Sequence, residues 1–235
     1  MADPEKTRVG GLLAQADRPP SPKQLQKRRL SAAMRQVIER LVTTDAPEAE
    51  LGAVAERLEQ YAEHLETHPR RTRLEGFAES ANAGEERGFF DYSPLIGLSN
   101  PLAPPITMRE QDGRVYGDVR FGQAYEGPPG HVHGGFIAAS FDEVLGYAQS
   151  LTGSPGMTGT LTVVYRAPTP LHADLRFEAG VDRVEGRKIF ASATLRAGAT
   201  LCAEADAIFI SLGADHFKGM ALRASRSDRS EEGQA

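Results

Sequence analysis

The chain has 235 residues, 40% hydrophobic and 25% charged, with a net charge of −5, one cysteine and no tryptophan. That apolar fraction excludes a wholly disordered chain, the lone Cys202 excludes an internal disulfide framework or a multi-cysteine zinc site, and the mild acidity argues against a nucleic-acid surface. No apolar run approaches the roughly 20 residues of a bilayer span, and the opening MADPEKTRVGGLL has no hydrophobic signal region, so a soluble cytoplasmic protein without a membrane span is expected.

Residues 1–20 are polar and close on Pro19-Pro20, which reads as a loose arm. Ser21 then offers an N-cap, Pro22 suits the first helical position, and Gln24 stands where a capping box needs it. Leu30, Met34, Val37, Ile38, Leu41 and Val42 recur at helical spacing. A second stripe, Leu51, Val54, Leu58, Tyr61 and Leu65, follows Pro47 and ends at His68-Pro69. Residues 21–68 are therefore expected to form a helical hairpin whose stripes bury against each other, the rest of the chain or a partner. Residues 69–105, with SPLIGLSNPLAPPI, read as a packed connector, and Arg70, Arg71 and Arg73 as a solvated basic face.

From about Ile106 the period becomes that of strands: Arg114–Phe121, Leu161–Arg166, Asp174–Val184, Lys188–Ala197 and Thr200–Leu212. The last four are separated by the short turns APTP, EGR and GA, which predicts an antiparallel meander. Between the early and late strands, GGFIAASFDEVLGYAQSLTG predicts a helix rich in apolar residues, with Gly153 at its end. Residues 106–212 thus predict an α+β domain, an antiparallel sheet wrapped around one central helix, and residues 213–235 a disordered tail.

Chemistry concentrates around that helix. Gly134 and Gly135 open it, where amide N–H groups lack partners and the helix dipole is positive. Such an end is either a plain turn into a core helix or a place for an anion, or for the oxygen of a carbonyl gaining negative charge. Asp142, between Phe141 and the Val144-Leu145 pair, is either a satisfied structural carboxylate or a general base or nucleophile. Glu143, about 100° further round the helix, reads as solvated. Gly134 and Asp142 lie about 12 Å apart along a helix, whereas reacting atoms need about 3–3.5 Å. If both serve one reaction, helices from two subunits must run antiparallel past each other, as in a twofold homodimer. His131 and His133 are a weak metal signal, so no metal is expected, and His133 is better placed to hydrogen-bond within its loop. Cys202, Tyr165 and Phe209 read as packed residues.

The ordered segments GPPGHVHGGFIAASFDEVLG, GMTGTLTVVYRAPTPL, VDRVEGRKIFASATL and AEADAIFI resemble the hotdog-fold acyl-CoA thioesterases. The similarity lies in the phenylacetate-pathway-like branch, which includes the mitochondrial thioesterase-superfamily-member enzymes of animals, and covers about residues 88–212. The resemblance implies a hotdog fold and hydrolysis of an acyl-CoA thioester, with coenzyme A as part of the substrate and no separate cofactor. It also implies a homodimer, often a dimer of dimers, and a place in fatty acid metabolism. By the same resemblance Asp142 is the catalytic carboxylate, activating water or attacking the thioester carbon, and Gly134 is the glycine whose amide polarises the thioester carbonyl. His133 shapes the loop beside it, Gly135 lets substrate approach the backbone, and Thr158 supplies the positioning hydroxyl. Arg166, Arg187 and Lys188 match positions that bind the coenzyme A part, with Ser192 following. Val164 departs from relatives that carry Asn there, which puts one such contact in doubt.

Thioester chemistry suits so small a set: the carbonyl is electrophilic and the thiolate leaves well, so one base and one oxyanion donor suffice. No GxSxG elbow is present. The alternative class is a non-catalytic acyl-CoA or lipid-binding module whose helical hairpin recruits a partner. A hydratase would want an Asp–His pair, and no His follows Asp142 before His172.

Overall fold

The computed structural model describes residues 20–69, 91–154 and 156–211; the expected arm before residue 20, the Arg70, Arg71 and Arg73 cluster and the expected tail lie outside them. In chain order the elements are α1 (Pro22–Leu41), α2 (Glu48–Glu66), β1 (Thr107–Gln111), β2 (Arg114–Val119), a 3-10 turn (Gln123–Tyr125), α3 (Gly134–Ser150), β3 (Gly156–Tyr165), β4 (Leu175–Glu185), β5 (Lys188–Ala197) and β6 (Thr200–Ser211). The six strands make one antiparallel sheet.

Alternation decides which face of the sheet is covered. Leu175, Phe177 and Ala179 of β4 and Ile189, Ala191, Ala193 and Leu195 of β5 are buried on one side. Against that side lies α3, through Ile137, Phe141, Val144, Leu145 and Ala148. Ala203, Ala205 and Ala207 of β6 are small enough to let the helix close on the sheet, and Phe141 meets Phe177 edge-on at 5.1 Å. Each large apolar side chain removed from water here contributes roughly 1.5–3 kcal/mol. Cys202 and Phe209 belong to this core, as their strand positions suggest.

Strand order is β1-β2-β4-β5-β6-β3, which corrects the expected meander. β4, β5 and β6 are consecutive neighbours, but β3 pairs with β6 (Tyr165 opposite Ala203) and β4 with β2 (Leu175 opposite Val119). The reason is α3: it carries the chain to the far edge of the sheet, so residues 166–174 must cross back. That crossing spends its backbone groups on the loop before α3, Val132 N–H donating to Thr169 O at 2.8 Å and Leu171 N–H to Gly130 O at 3.0 Å. β1, which no alternation announces, forms a hairpin with β2 through Asp112 and Gly113, both at positive φ.

The N-terminal helices also depart from expectation. α1 begins with the anticipated capping box, Gln24 N–H donating to Ser21 Oγ and Ser21 N–H to Gln24 Oε1. It docks, however, through its polar side: Arg28 pairs with buried Asp91 at 2.6 Å, Ser31 is buried, and Arg35 Nη1 donates to Asn100 O at 2.8 Å. Leu30, Leu41 and Val42 remain exposed, and α2 buries no residue, leaving Leu51, Val54, Tyr61 and Leu65 exposed. The turns at 91–105 offer α1 a buried carboxylate, Asp91, and the carbonyls of Leu98 and Asn100, with Pro101, Pro104 and Pro105 beside Ala32 and Ile38. No described helix is long and apolar enough to cross a membrane.

Candidate active site

Asp142 sits on the solvent-facing side of α3, and its Oδ1 accepts the hydroxyl of Thr158 at 2.7 Å. That contact depends on an irregularity in β3. Leu161 and Val163 pack on the helix side of the sheet, and strict alternation would place residues 157 and 159 there too. Between Thr158 and Thr160 the register slips: opposite them stand Phe209 and Ile208, neighbours in β6, so Gly159 is an extra residue. The bulge turns Thr158 onto the helix side, beside Asp142.

At the other end of α3, His133 is the N-cap. Its Nδ1 accepts the Gly135 N–H at 3.0 Å, and its carbonyl accepts the Phe136 N–H at 3.0 Å. The Gly134 N–H has no hydrogen-bond partner among the described residues. Tyr165, expected in the core, is half-exposed instead, and its hydroxyl donates to Gly134 O at 2.8 Å. A Cβ on residue 134 would lie 3.2 Å from that hydroxyl, so glycine is what lets the ring come so close. Behind this, the Tyr125 carbonyl accepts the His133 N–H at 2.9 Å. Burial pushes the Tyr125 hydroxyl up to about 12, against a smaller lowering by Arg35, and it stays a donor to Leu102 O.

Two separate clusters thus lie along a single helix–strand pair: Asp142 with Thr158, and Gly134 with His133 and Tyr165. β3, which carries Thr158 and Tyr165, is an edge strand with one side unpaired among the described residues.

Glu143 is not solvated as expected. It is largely buried and accepts the Ser93 hydroxyl at 3.2 Å; burial raises its pKa, the Ser93 bond opposes the rise, and the Asp142 charge adds to it. Arg166 follows Tyr165 and pairs with Glu204 on β6, Nε to Oε1 at 3.0 Å. Arg187 and Lys188 stand at the β4–β5 turn, at the Thr158 end of the sheet; Arg187 Nε donates to Ser211 O at 3.1 Å. Ser192 donates to Asp182 Oδ1 at 2.8 Å and alternates with the buried residues of β5, so it lies on the face away from α3 and apart from Asp142. His131 Nδ1 lies 2.9 Å from Pro129 O, on a different partner from His133.

A helix laid across an antiparallel six-stranded sheet, opened by a glycine pair and carrying an exposed carboxylate two turns on, defines the chain as a hotdog protein. A family model described as Thioesterase superfamily matches residues 129–203, and one described as the N-terminal helical domain of hypothetical protein RHA1_ro05818 matches residues 28–73. The crystal structure of a thioesterase superfamily protein, RHA08564, superposes with a TM-score of 0.70 at 36% identity, covering 78% of this chain and 94% of that one. With these matches, the chain belongs to the thioesterase superfamily. Acyl-coenzyme A thioesterase THEM4 of Xenopus laevis is 40% identical over 93 residues, 39% of this chain and 42% of that protein. Acyl-coenzyme A thioesterase THEM5 of Homo sapiens is 30% identical over 93 residues, 39% of this chain and 38% of that protein. The chain thus spans about two fifths of the length of these curated relatives.

Proposed function

We propose that this chain is an acyl-CoA thioesterase acting as a twofold homodimer, in which Asp142 of one protomer faces the Gly134 amide of its twin. The observation that carries the reading is the pair of half-sites: a carboxylate held by Thr158, and an unpartnered amide held by His133 and Tyr165, each incomplete alone. The unpaired edge of β3 and the exposed Met157 and Phe136 offer a surface on which two copies can meet. The names of the acyl-coenzyme A thioesterases above support the substrate class.

In the general-base form, Asp142 takes a proton from water as the water oxygen attacks the thioester carbon, and the oxyanion formed accepts the Gly134 N–H. The carbon–sulfur bond then breaks, the acid departs, and the coenzyme A thiolate takes up the proton that Asp142 held. In the nucleophilic form the carboxylate itself attacks and the carbon–sulfur bond breaks to release the thiolate; water then opens the resulting anhydride to the free acid and protonated Asp142, whose proton passes to the thiolate. Thr158 orients the carboxylate in both. Arg166, just past the Tyr165 end of β3, and Arg187 and Lys188, near its Thr158 end, are the cations assigned to the phosphate-bearing part of coenzyme A.

The test is release of free thiol from a panel of acyl-CoA thioesters, with the parent, Asp142→Asn and Asp142→Ala side by side. The parent turns over at least one thioester, and both variants fold, stay dimeric and lose roughly 10²–10⁴-fold in kcat. Parental activity in either variant overturns the reading, and binding without thiol release by the parent favours a binding module.

A further inference from the structure

The N-terminal helix reaches the catalytic domain at a point that thioester hydrolysis leaves unused. Glu39, near the end of α1, presents its carboxylate to the 3-10 turn: Gln123 N–H donates to Oε1 at 2.7 Å and Ala124 N–H to Oε2 at 3.2 Å. The turn has no side-chain cap of its own, and a carboxylate accepting two amides there is a charge-assisted substitute supplied from another element. Gly122 makes the approach possible, since a Cβ at that position would lie 2.4 Å from Oε2 and 2.7 Å from Oε1 of Glu39. Arg28 on Asp91 and Arg35 on Asn100 O hold α1 in place behind it.

Two connections run from this turn to the glycine amide. Tyr125, its last residue, accepts the His133 N–H through its carbonyl at 2.9 Å, and its ring meets Phe136 of the first turn of α3 at 4.9 Å. Glu126, next in the chain, accepts the Gly130 N–H at 2.6 Å and a bond from the Gln123 side-chain amide. His133 directly precedes Gly134 and caps α3. A carboxylate on the helical unit is thereby linked, through one turn, to both ends of the loop that presents the amide.

We propose that Glu39 is a positioning residue for the Gly134 amide, which makes the N-terminal helix a working part of the active site. The proposal rests on the acyl-CoA thioesterase reading of Gly134, and its experiment has an arm independent of that reading.

Glu39→Ala, Glu39→Gln and Gly122→Ala are compared with the parent by thiol release, thermal melting, and hydrogen exchange of the amides in residues 123–135. Glu39→Ala lowers kcat about tenfold or more with KM changed less than about threefold, because misplacing a transition-state donor costs turnover more than binding. Glu39→Gln, which keeps one acceptor and the size, falls between. Gly122→Ala displaces the carboxylate without altering it and gives the same loss, and the double variant is no slower than either single, as two routes to one broken contact require. Exchange speeds up over residues 123–135 while the rest of α3 and the sheet keep parental protection. Unchanged exchange in that stretch, parental kcat in Glu39→Ala, or additive losses in the double variant overturn the proposal. A parent that turns over no acyl-CoA defeats the thioesterase reading alone; the exchange arm then decides whether Glu39 orders the loop.

Discussion

The Thr158 hydroxyl reaches Asp142 at 2.7 Å only because Gly159 is an extra residue in β3. One bulge thus aims the side chain that orients the carboxylate. A hydrogen bond to a charged group is worth about 1.5–3 kcal/mol, so Thr158→Val, which keeps shape and removes the hydroxyl, should lower kcat on acyl-CoA about 10- to 100-fold. Thr158→Ser should keep most of it. Steady-state thiol release checks both, and parental activity in Thr158→Val with loss in Thr158→Ser would assign the effect to the methyl group.

Tyr165 holds the start of α3 through Gly134 O. Tyr165→Phe removes one neutral hydrogen bond, worth about 0.5–1.5 kcal/mol, at a half-exposed position where water can replace part of it. Turnover should fall a few-fold, with little change in melting midpoint. An unchanged kcat would leave the ring with a packing role only.

Glu143 gives a pH signature. Its folded pKa lies above the ordinary glutamate value because burial disfavours the charge. The native protein therefore holds this proton where the unfolded chain has released it, and stability falls as pH rises from about 4.3 through the raised value. Glu143→Gln keeps an acceptor for Ser93 and has no charge to bury. Its melting midpoint should exceed the parent's at pH 7–8 and match it near pH 4. A constant difference across that range would contradict burial as the cause.

Phe177 is fully buried against Phe141. Phe177→Ala should destabilise the fold by about 3–5 kcal/mol, read as a lower urea midpoint with an unchanged slope.

Much of the sheet was legible from alternation alone: Leu175, Phe177 and Ala179, or Ile189 through Leu195, declare a covered face within a few residues. Which strand lies beside which was not, because the place of β3 depends on where α3 delivers the chain. Asp142 and Gly134 stood out by type and position, whereas Tyr165 read as one more apolar strand residue. The only local signal for the bulge is a glycine between two threonines. α1 shows a different limit: its apolar spacing pointed to one face, and the charged groups Arg28, Arg35 and Glu39 dock another, because their partners at 91–105 and 122–124 lie far along the chain. Partners so remote leave no periodic trace in the helix itself.

The position of β3 bears on how the chain is made. Its only strand partner among the described residues begins at Thr200, 35 residues after Tyr165. At roughly 5–20 residues per second of synthesis, Thr158 and Tyr165 wait several seconds on an unzipped ribbon while the β4–β5 hairpin can already form. Asp142 and Thr158 are therefore held together only after β6 has been made, and a nascent chain arrested before Thr200 would present α3 and a naked β3 to whatever chaperone is nearby.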